Sequence, residues 1–462
     1  MFPASTYSDR RTQLAAQFDS GLILLLGNKD APMNYADNVY PFRQDSSFLY
    51  YFGLDTPGLA ALIDMDSGTT TVFGTDVTMD MVVWTGPQPS LQEMCSWCGI
   101  THVQPITALG QVLQEASSKG RTIRYLPPYR ADNLLRLHHG LELPVSEIQK
   151  SVSVDLIKAI VDQRSVKSPD EIVELEQAIN VTHQMHMTAM ELAQAGMLES
   201  DLMAAVYEVP LTLGRHPSFP IILTVHGETL HNHHYHHTLE EGQLLLVDAG
   251  GESDMHYAGD MTRTFPVGRQ FTAKQKEIYQ IVLDANVQTA EVLKPGITFK
   301  EVHLLAAKII ATGLTDLGLM KGNVEEAVEA GAHALFFPHG LGHMLGLDTH
   351  DMEDLGEDYV GYTDTLKRSP QFGLKSLRLG RTLKPGFVLT IEPGIYFIPA
   401  LIDKWREEGK HTGFINYDAL ESYKDFGGIR IEDDHLITVE NSRLLGEPVP
   451  KTIEEVEEVR GG

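Results

Sequence analysis

Residues 242–264 read GQLLLVDAGGESDMHYAGDMTRT, and this stretch decides the fold of the chain. The apolar run 244–247, bounded by glycine, predicts a buried strand that ends in the carboxylate of Asp248. A second carboxylate, Asp260, follows a glycine-rich connection. Because a buried carboxylate without a partner is costly, two of them on adjacent strands suggest a metal ion. For either aspartate alone, the capping of a turn is the simpler interpretation.

The same pattern occurs a second time nearer the C-terminus. Residues 385–394 read PGFVLTIEPG and match EGQLLLVDAG at 241–250, and in both a carboxylate stands six positions after a glycine. Glu392 therefore corresponds to Asp248, and Glu432 corresponds to Asp260. The internal repeat predicts two carboxylate pairs that face each other across a pseudo-two-fold axis. Four convergent carboxylates repel each other strongly unless cations lie between them, so the repeat argues for a metal site.

Capping signals place two helices before each copy of the repeat. Ser168 and Glu171 form a capping box, with Pro169 in the first helical position, and they open a helix predicted to run from residue 170 to about 194. A second helix is predicted after residue 200. Thr272 and the capping box that starts at Thr298 open the corresponding pair in the second copy.

The N-terminal third reads as a separate α/β domain, as expected for a chain of 462 residues. Apolar runs predict strands at 22–26, 59–63 and 70–73, and helical patterns occur at 10–18 and 108–116. The aromatic and polar segment 40–47 is predicted to be a surface loop. We place the domain boundary near residues 164–167, which gives domains of 1–164 and 165–462.

Composition excludes several classes of partner. A net charge of −27 argues against nucleic acid and anionic membranes, because both require a basic face. The N-terminus lacks a signal-peptide pattern, and the run 22–26 is too short to span a membrane, so a cytoplasmic location is expected. Cys95 and Cys98 are too few for a disulfide framework or a zinc site, and we interpret them as packing residues.

The segment His339-Gly-Leu-Gly-His343 adds imidazole to the carboxylates. It has the His-x3-His spacing of zinc proteases, but no glutamate follows the first histidine and two glycines interrupt it, so it is not that motif. One of the two histidines is predicted to bind metal and the other to lie beside it. A set so rich in oxygen suits Mn²⁺ or Co²⁺ better than structural Zn²⁺. Two such ions can activate water and polarise a carbonyl group.

These segments together resemble the metallopeptidase family with the pita-bread fold, in the branch of aminopeptidase P and prolidase (Xaa-Pro dipeptidase). The resemblance is carried by residues 248–264, 339–351, 388–396 and 427–434, and residues 40–44 are similar to a segment of the aminopeptidase P N-terminal domain. It implies an α/β (α+β) chain, in which an N-terminal creatinase- or aminopeptidase-P-like domain precedes a pita-bread catalytic domain.

The resemblance also implies roles for individual residues. The implied metal ligands are Asp248, Asp260, His343, Glu392 and Glu432. They would hold two divalent ions, Mn²⁺ first, with Co²⁺ or Zn²⁺ as alternatives. The implied catalytic residues are His231 and His350, which would hydrogen-bond the substrate, and Glu392, which would pass a proton to the proline nitrogen. The implied substrate-binding residues are His339, Arg378, Arg430 and Asp37. Asp37 would approach the site of a neighbouring subunit in a homodimer or homotetramer.

The resemblance leaves the length of the substrate open. The N-terminal segment favours an Xaa-Pro aminopeptidase, which cleaves peptides with proline at the second position. The long interval from Glu392 to Glu432 and the presence of Arg378 favour the alternative, an Xaa-Pro dipeptidase, since an arginine can bind the terminal carboxylate of a dipeptide. For Arg378, a surface ion pair is an equally good interpretation. A non-catalytic pita-bread binding protein is a third possibility, although such proteins usually lose metal ligands.

The histidine run at 231–237 is denser than the family pattern requires. Only His231 is assigned a role. The other histidines of the run are predicted to lie in a solvated loop, with adventitious metal binding as the alternative.

Overall fold

The computed structural model describes residues 1–461 and divides into two compact units. The first consists of Met1–Arg164 with Asp354–Tyr359, and the second consists of Ser165–Glu353 and the chain from Val360 onward. Both contain helices and strands, so the predicted mixed α/β class is confirmed. Among residues 1–461, no helix is long and apolar enough to cross a membrane.

The first unit is built on a five-stranded sheet of order β4-β3-β2-β1-β5. Its strands are β1 (Leu22–Leu26), β2 (Ala60–Asp64), β3 (Thr69–Gly74), β4 (His102–Pro105) and β5 (Ile123–Tyr125). Strands β1, β2 and β3 pair antiparallel, whereas β4 and β5 join the edges in parallel. One face of the sheet packs its apolar side chains into a core with Leu113 and Leu137.

The helices of this part of the chain flank the sheet or connect its strands. They are α1 (Ala4–Ala15), α2 (Ser46–Phe52), α3 (Met79–Thr85), α4 (Leu91–Trp97), α5 (Leu109–Ser118), α6 (Ala131–Leu141), α7 (Val145–Ile148) and α8 (Val154–Ser165). The three predicted strands agree with β1, β2 and β3 within one residue. The helix predicted at 10–18 begins earlier, directly after Pro3, whose fixed φ suits a helix N-terminus, and it ends at Ala15.

The prediction of a surface loop at 40–47 is wrong for its second half. Asp45 accepts a hydrogen bond from the Phe48 backbone N–H (2.8 Å) and so caps α2, all of whose residues are buried. The Gln44 side chain is 1% exposed, accepts from the Asn28 N–H (2.6 Å) and donates to the Thr56 carbonyl (2.8 Å). Gln44 can be buried because its side chain satisfies backbone groups, and Asp45 caps a helix; residue type alone reveals neither role.

Cys95 and Cys98 are buried, free thiols in and just after α4. Burial raises the pKa of both, that of Cys95 to about 12. A thiol that stays protonated at neutral pH is a poor nucleophile, which supports the interpretation as packing residues.

In its described part, up to residue 461, the second unit contains eight strands and the remaining helices. The strands are β6 (Ile222–Thr224), β7 (Leu244–Ala249), β8 (Met261–Pro266), β9 (Val388–Ile391), β10 (Gly394–Tyr396), β11 (Gly428–Arg430), β12 (Asp433–Ile437) and β13 (Ser442–Leu444). The helices are α9 (Pro169–Leu192), α10 (Glu199–Thr212), α11 (Ala273–Glu291), α12 (Phe299–Asp316), α13 (Val324–Ala330), α15 (Pro399–Glu407), α16 (Tyr417–Leu420) and α17 (Ile453–Gly461); the short α14 (Glu357–Val360) spans the boundary between the units.

Each copy of the predicted repeat forms a helix pair followed by antiparallel strands. Helices α9 and α10 precede the sheet β6-β7-β8, and α11 and α12 precede the sheet β13-β12-β9. The predicted capping boxes at Ser168 and Thr298 are present, and Thr272 caps α11. The second copy differs in one respect: the segment 427–434 is divided between β11 and β12, which belong to different sheets, and Glu432 lies at the break.

His303 on α12 gives the second unit a specific sensitivity to acid. The ring is fully buried against Phe337 (centroids 5.3 Å apart), and neither ring nitrogen has a hydrogen-bond partner among residues 1–461. Burial lowers the pKa of His303 from 6.5 to about 3. The unfolded chain takes up a proton below pH 6.5 and the folded chain does not until about pH 3, so stability falls as the pH is lowered through that interval.

As the pH is lowered within that interval, the free energy of unfolding of His303→Leu is therefore expected to fall by about 1.4 kcal/mol less per pH unit than that of wild type. Thermal unfolding of wild type and variant, measured at several pH values between about 8 and about 4, checks this expectation. As the pH falls, the unfolding temperature of wild type should decrease more steeply than that of the variant, so that the two plots of midpoint against pH converge or cross. Curves that remain parallel would show that His303 titrates alike in both states.

Candidate metal centre

Three side chains from distant parts of the sequence converge in the second unit. Asp260, His343 and Glu432 are all buried, and each offers a ligand atom within 4.8 Å of the others. The His343 Nε2 atom lies 3.3 Å from Asp260 Oδ2. Asp260 immediately precedes β8, and Glu432 is held beside that strand because its backbone N–H donates to the Thr262 carbonyl (3.0 Å).

The local backbone fixes the imidazole of His343 in an orientation suited to a ligand. Its Nδ1 donates to the Met344 carbonyl (3.0 Å), which leaves the lone pair of Nε2 facing the carboxylates. Two hydrogen bonds hold the segment against β9: the Thr390 N–H donates to the His343 carbonyl (3.0 Å), and the His343 N–H donates to the Thr390 hydroxyl (3.2 Å). A Cβ atom at Gly342 would lie 2.0 Å from the Thr390 carbonyl oxygen, so the glycine permits this close approach.

The other two predicted ligands lie beside this cluster. Glu392 follows β9, and its Oε1 is 3.6 Å from His343 Nε2. Asp248 Oδ2 accepts from Arg430 Nη2 (2.6 Å), while its buried Oδ1 has no partner among the described residues. The structure therefore gathers three of the five predicted ligands closely and places the remaining two at the margin.

The pKa values of the carboxylates in this cluster are shifted in the direction that a bound cation would offset. Burial raises the pKa of Asp260, Glu392 and Glu432, and for Asp260 and Glu432 repulsion from neighbouring carboxylates adds to the effect. A divalent cation would offset both effects, and the orphaned Asp248 Oδ1 offers it a further ligand atom. The donor set, carboxylate oxygens with one imidazole, matches the preference of hard and borderline divalent ions.

Arg430 and Tyr396 link Asp248 to His339. Arg430 Nη1 donates to the Tyr396 hydroxyl (2.8 Å), which lies 2.9 Å from His339 Nε2. Because His339 Nδ1 donates to the Gly340 carbonyl (2.8 Å), Nε2 accepts from the tyrosine. Burial, with a smaller effect of Arg430, lowers the pKa of His339 to about 3, so the ring is neutral at pH 7. His339 thus lies beside the cluster, and its substrate-binding role, like that of Arg430, stays a prediction.

Two residues of this network were not identified from the sequence. Thr262 Oγ1 donates to Glu432 Oε2 (2.7 Å) and accepts from Arg430 Nε (3.0 Å). Tyr396 lies in the family segment 388–396, but no role is assigned to it there. Thr262 could have been identified from strand periodicity, because side chains two residues apart in a strand, such as 260 and 262, point to the same face.

Glu353, which was not identified from the sequence, contacts both His350 and Arg378. The His350 ring packs edge-on against His343, with centroids 4.4 Å apart. Glu353 contacts His350 Nδ1 through Oε2 (2.6 Å) and Arg378 Nη1 through Oε1 (2.8 Å). The structure therefore shows Arg378 in an ion pair, one of the two interpretations left open.

His231 and Asp37 are both exposed. Partial burial, with a smaller effect of the Arg430 charge, lowers the pKa of His231. Asp37 lies in the first unit, in the loop closed by the bridge between Pro32 and Val39. The catalytic role of His231 and the substrate-binding role of Asp37 stay predictions.

One histidine of the run, His237, is packed against other side chains and is not a solvated loop residue. His237 Nδ1 lies 2.9 Å from the carboxylate of the fully buried Glu199, and its ring packs against those of His226 and His236 (centroids 4.6 and 4.3 Å apart). His233, His234 and His236 are exposed, as predicted.

Comparisons with known proteins agree with this geometry. The model of metallopeptidase family M24 matches residues 173–439, and that of the aminopeptidase P N-terminal domain matches residues 7–124. The Xaa-Pro dipeptidase of Homo sapiens is 32% identical over 450 residues, covering 96% of this chain and 89% of the relative. A probable Xaa-Pro aminopeptidase of Uncinocarpus reesii is 32% identical over 473 residues, covering 99% and 94%.

A solved structure supports the same assignment. Zinc-substituted aminopeptidase P of E. coli in complex with product superimposes with a TM-score of 0.82 at 28% identity, covering 100% of this chain and 98% of that one. The family match spans more than half of the chain and contains all the residues gathered at the candidate centre. The chain therefore belongs to metallopeptidase family M24.

Proposed function

We propose that this chain is an Xaa-Pro aminopeptidase, which removes the N-terminal residue from peptides with proline at the second position. The observation that carries the proposal is the convergence of Asp260, His343 and Glu432 within 4.8 Å, with Asp248 and Glu392 at its margin. The printed activities of the relatives, Xaa-Pro dipeptidase and Xaa-Pro aminopeptidase, support the substrate class.

These five side chains would hold two divalent ions, Mn²⁺ in preference to Co²⁺ or Zn²⁺ because the donor set is rich in oxygen. When bound, the metal would supply the Lewis acidity needed to activate water and to polarise the scissile carbonyl group. We assign residues 165–462 to the catalytic domain and residues 1–164 to the N-terminal domain. The proposal includes a cytoplasmic location and a homodimer or homotetramer.

The chain's own residues would bind the substrate and move its protons. Glu392 has a raised pKa, as suits a group that takes a proton and passes it to the leaving proline nitrogen. His231 and His350 have lowered pKa values, burial being the main cause, and would hydrogen-bond the substrate as neutral rings.

Xaa-Pro dipeptidase activity is the second candidate, and Arg378 is the observation that favours it. Its guanidinium lies close enough to the centre to lower the pKa of His343 and His350, although burial is the main cause for both. A cation in that place can pair with the terminal carboxylate of a dipeptide.

Hydrolysis of matched peptides with Mn²⁺ tests the proposal. We expect Gly-Pro-Ala to be cleaved faster than Gly-Pro, and Gly-Ala-Ala to be cleaved at least about 100-fold more slowly than Gly-Pro-Ala, because the site must accept a proline nitrogen as leaving group. Removal of metal by a chelator should abolish activity, and Mn²⁺ should restore it. Faster cleavage of Gly-Pro would favour the dipeptidase, and a chain that binds no Mn²⁺ would contradict both candidates.

A further inference from the structure

At one side of the candidate centre, the Glu353 carboxylate contacts both His350 and Arg378. Its Oε2 lies 2.6 Å from His350 Nδ1, and its Oε1 lies 2.8 Å from Arg378 Nη1. The Glu353 side chain is 42% exposed and that of Arg378 is 32% exposed. The pair is therefore within reach of a ligand that enters from solvent, unlike the buried pair of Arg430 and Asp248.

This pair is close to the candidate centre. The His350 ring contacts that of the predicted ligand His343, with centroids 4.4 Å apart. The Arg378 charge also acts on Glu392, which carries the proposed proton-transfer role. Arg378 is thus a cation beside the proposed reaction site, and Glu353 already supplies its countercharge.

The substrates of the two candidate activities differ in charge at one place. A dipeptide carries a carboxylate directly on the proline, whereas a longer peptide carries a neutral amide there. A carboxylate that approaches Arg378 must displace Glu353 or lie beside its negative charge, and like charges placed together at a binding site cost free energy. A neutral amide meets no such repulsion.

We propose that Glu353 is a specificity-determining residue: by holding Arg378, it disfavours substrates with a free carboxylate on the proline and directs the site to peptides longer than dipeptides. The inference rests on the proposed Xaa-Pro peptidase function and extends it to the length of the substrate.

The test uses Mn²⁺-loaded Glu353→Gln protein and two substrates that differ only in charge, Gly-Pro and Gly-Pro-amide. Glutamine keeps the size of the side chain and can still hydrogen-bond, but it removes the negative charge. We expect the ratio of kcat/KM for Gly-Pro to that for Gly-Pro-amide to rise about tenfold over wild type. Glu325→Gln, on α13, breaks an exposed pair with Lys308 of α12; it is the matched control and should leave the ratio unchanged.

A second variant separates the charge effect from any general loss of structure. Arg378→Met removes the cation but keeps Glu353, so the ratio should fall below that of wild type. A third readout is the inhibition of Gly-Pro-Ala hydrolysis by wild type. Gly-Pro and Gly-Pro-amide are each added as competitors, and the amide should have the lower inhibition constant.

Two results would overturn the inference. One is a ratio that stays within about twofold of wild type in Glu353→Gln, including the case in which both rates fall equally, and the other is tighter inhibition of wild type by Gly-Pro than by its amide. In each of these, hydrolysis of Gly-Pro-Ala by wild type persists and the proposed function stands. If wild type cleaves none of the proline peptides, the proposed function itself fails, and the inference fails with it.

Discussion

Asp260→Asn is expected to abolish metal binding and hydrolysis together, while making the metal-free protein more stable. Asp260 Oδ2 lies 3.3 Å from His343 Nε2 and within the same 4.8 Å cluster as Glu432, so its replacement removes one of the three carboxylate or imidazole ligands gathered there. The Lewis acidity at stake contributes several kcal/mol to the transition state, which corresponds to a loss of activity of about 10³-fold or more.

The stabilising effect follows from the sign of the pKa shift. Burial, together with repulsion from Asp248 and Asp434, raises the pKa of Asp260 well above its usual 3.8. The folded protein therefore binds this proton more tightly than the unfolded chain, and stability is lost as the pH rises above about 4. Asparagine removes the charge, so metal-free Asp260→Asn should unfold at a higher temperature than metal-free wild type at neutral pH.

Metal content and thermal unfolding, with and without Mn²⁺, measure both effects. Mn²⁺ should raise the unfolding midpoint of wild type and leave that of the variant unchanged. Asp403→Asn, which removes an exposed carboxylate paired with Lys424, is the matched control and should behave as wild type. A variant that kept stoichiometric metal or full activity would refute the ligand assignment.

The sequence allowed the carboxylates of the site to be predicted because each follows a local rule. Asp248, near the end of β7, and Glu392, directly after β9, each stand six residues after a glycine, and the repeat of that pattern identifies the two as equivalent. The helix starts were predictable for the same reason, since a capping box occupies only four consecutive residues.

The connections between these residues were not predictable, because they depend on contacts between distant parts of the chain. Thr262 reaches Glu432 across 170 positions, and Arg430 reaches Asp248 across 182. Glu353 illustrates the same limit at short range: only the folded loop brings it to both His350 and Arg378. Local periodicity identifies which side chains are buried or carry charge, but it does not identify their partners.

Arg263 makes several such distant contacts beside the site. The side chain is fully buried, and its Nη2 pairs with Asp433 Oδ1 at 2.6 Å. Its Nη1 donates to the Glu432 carbonyl (2.6 Å), and further bonds reach the carbonyls of Val449 and Pro450. Arg263 therefore ties β8 to β12 and to the chain that follows β13, and it holds the backbone of a predicted metal ligand.

Arg263→Met is expected to lower the free energy of unfolding at pH 7 by about 3–5 kcal/mol, because methionine fills much of the volume but leaves a buried carboxylate with one partner fewer. Asp433 retains Lys451 (2.7 Å). Metal affinity should fall as well, since the Glu432 carbonyl loses a donor. Arg121→Met is the control: Arg121 also pairs with two aspartates, but it is 27% exposed, and such surface pairs contribute about 0–1 kcal/mol.

The pH dependence separates the loss of the ion pair from a simple loss of packing. Burial alone would raise the pKa of Asp433, but Arg263 and Lys451 outweigh it and hold the pKa well below the usual 3.8. The pair therefore contributes its full stability above about pH 4, and this contribution is lost as the pH falls towards the folded-state pKa. Unfolding of wild type and Arg263→Met should differ most near pH 7 and progressively less below about pH 4. If the difference in the free energy of unfolding between wild type and Arg263→Met is independent of pH, the effect is one of packing. If it is no larger than the difference that Arg121→Met causes, the buried network does not stabilise the site.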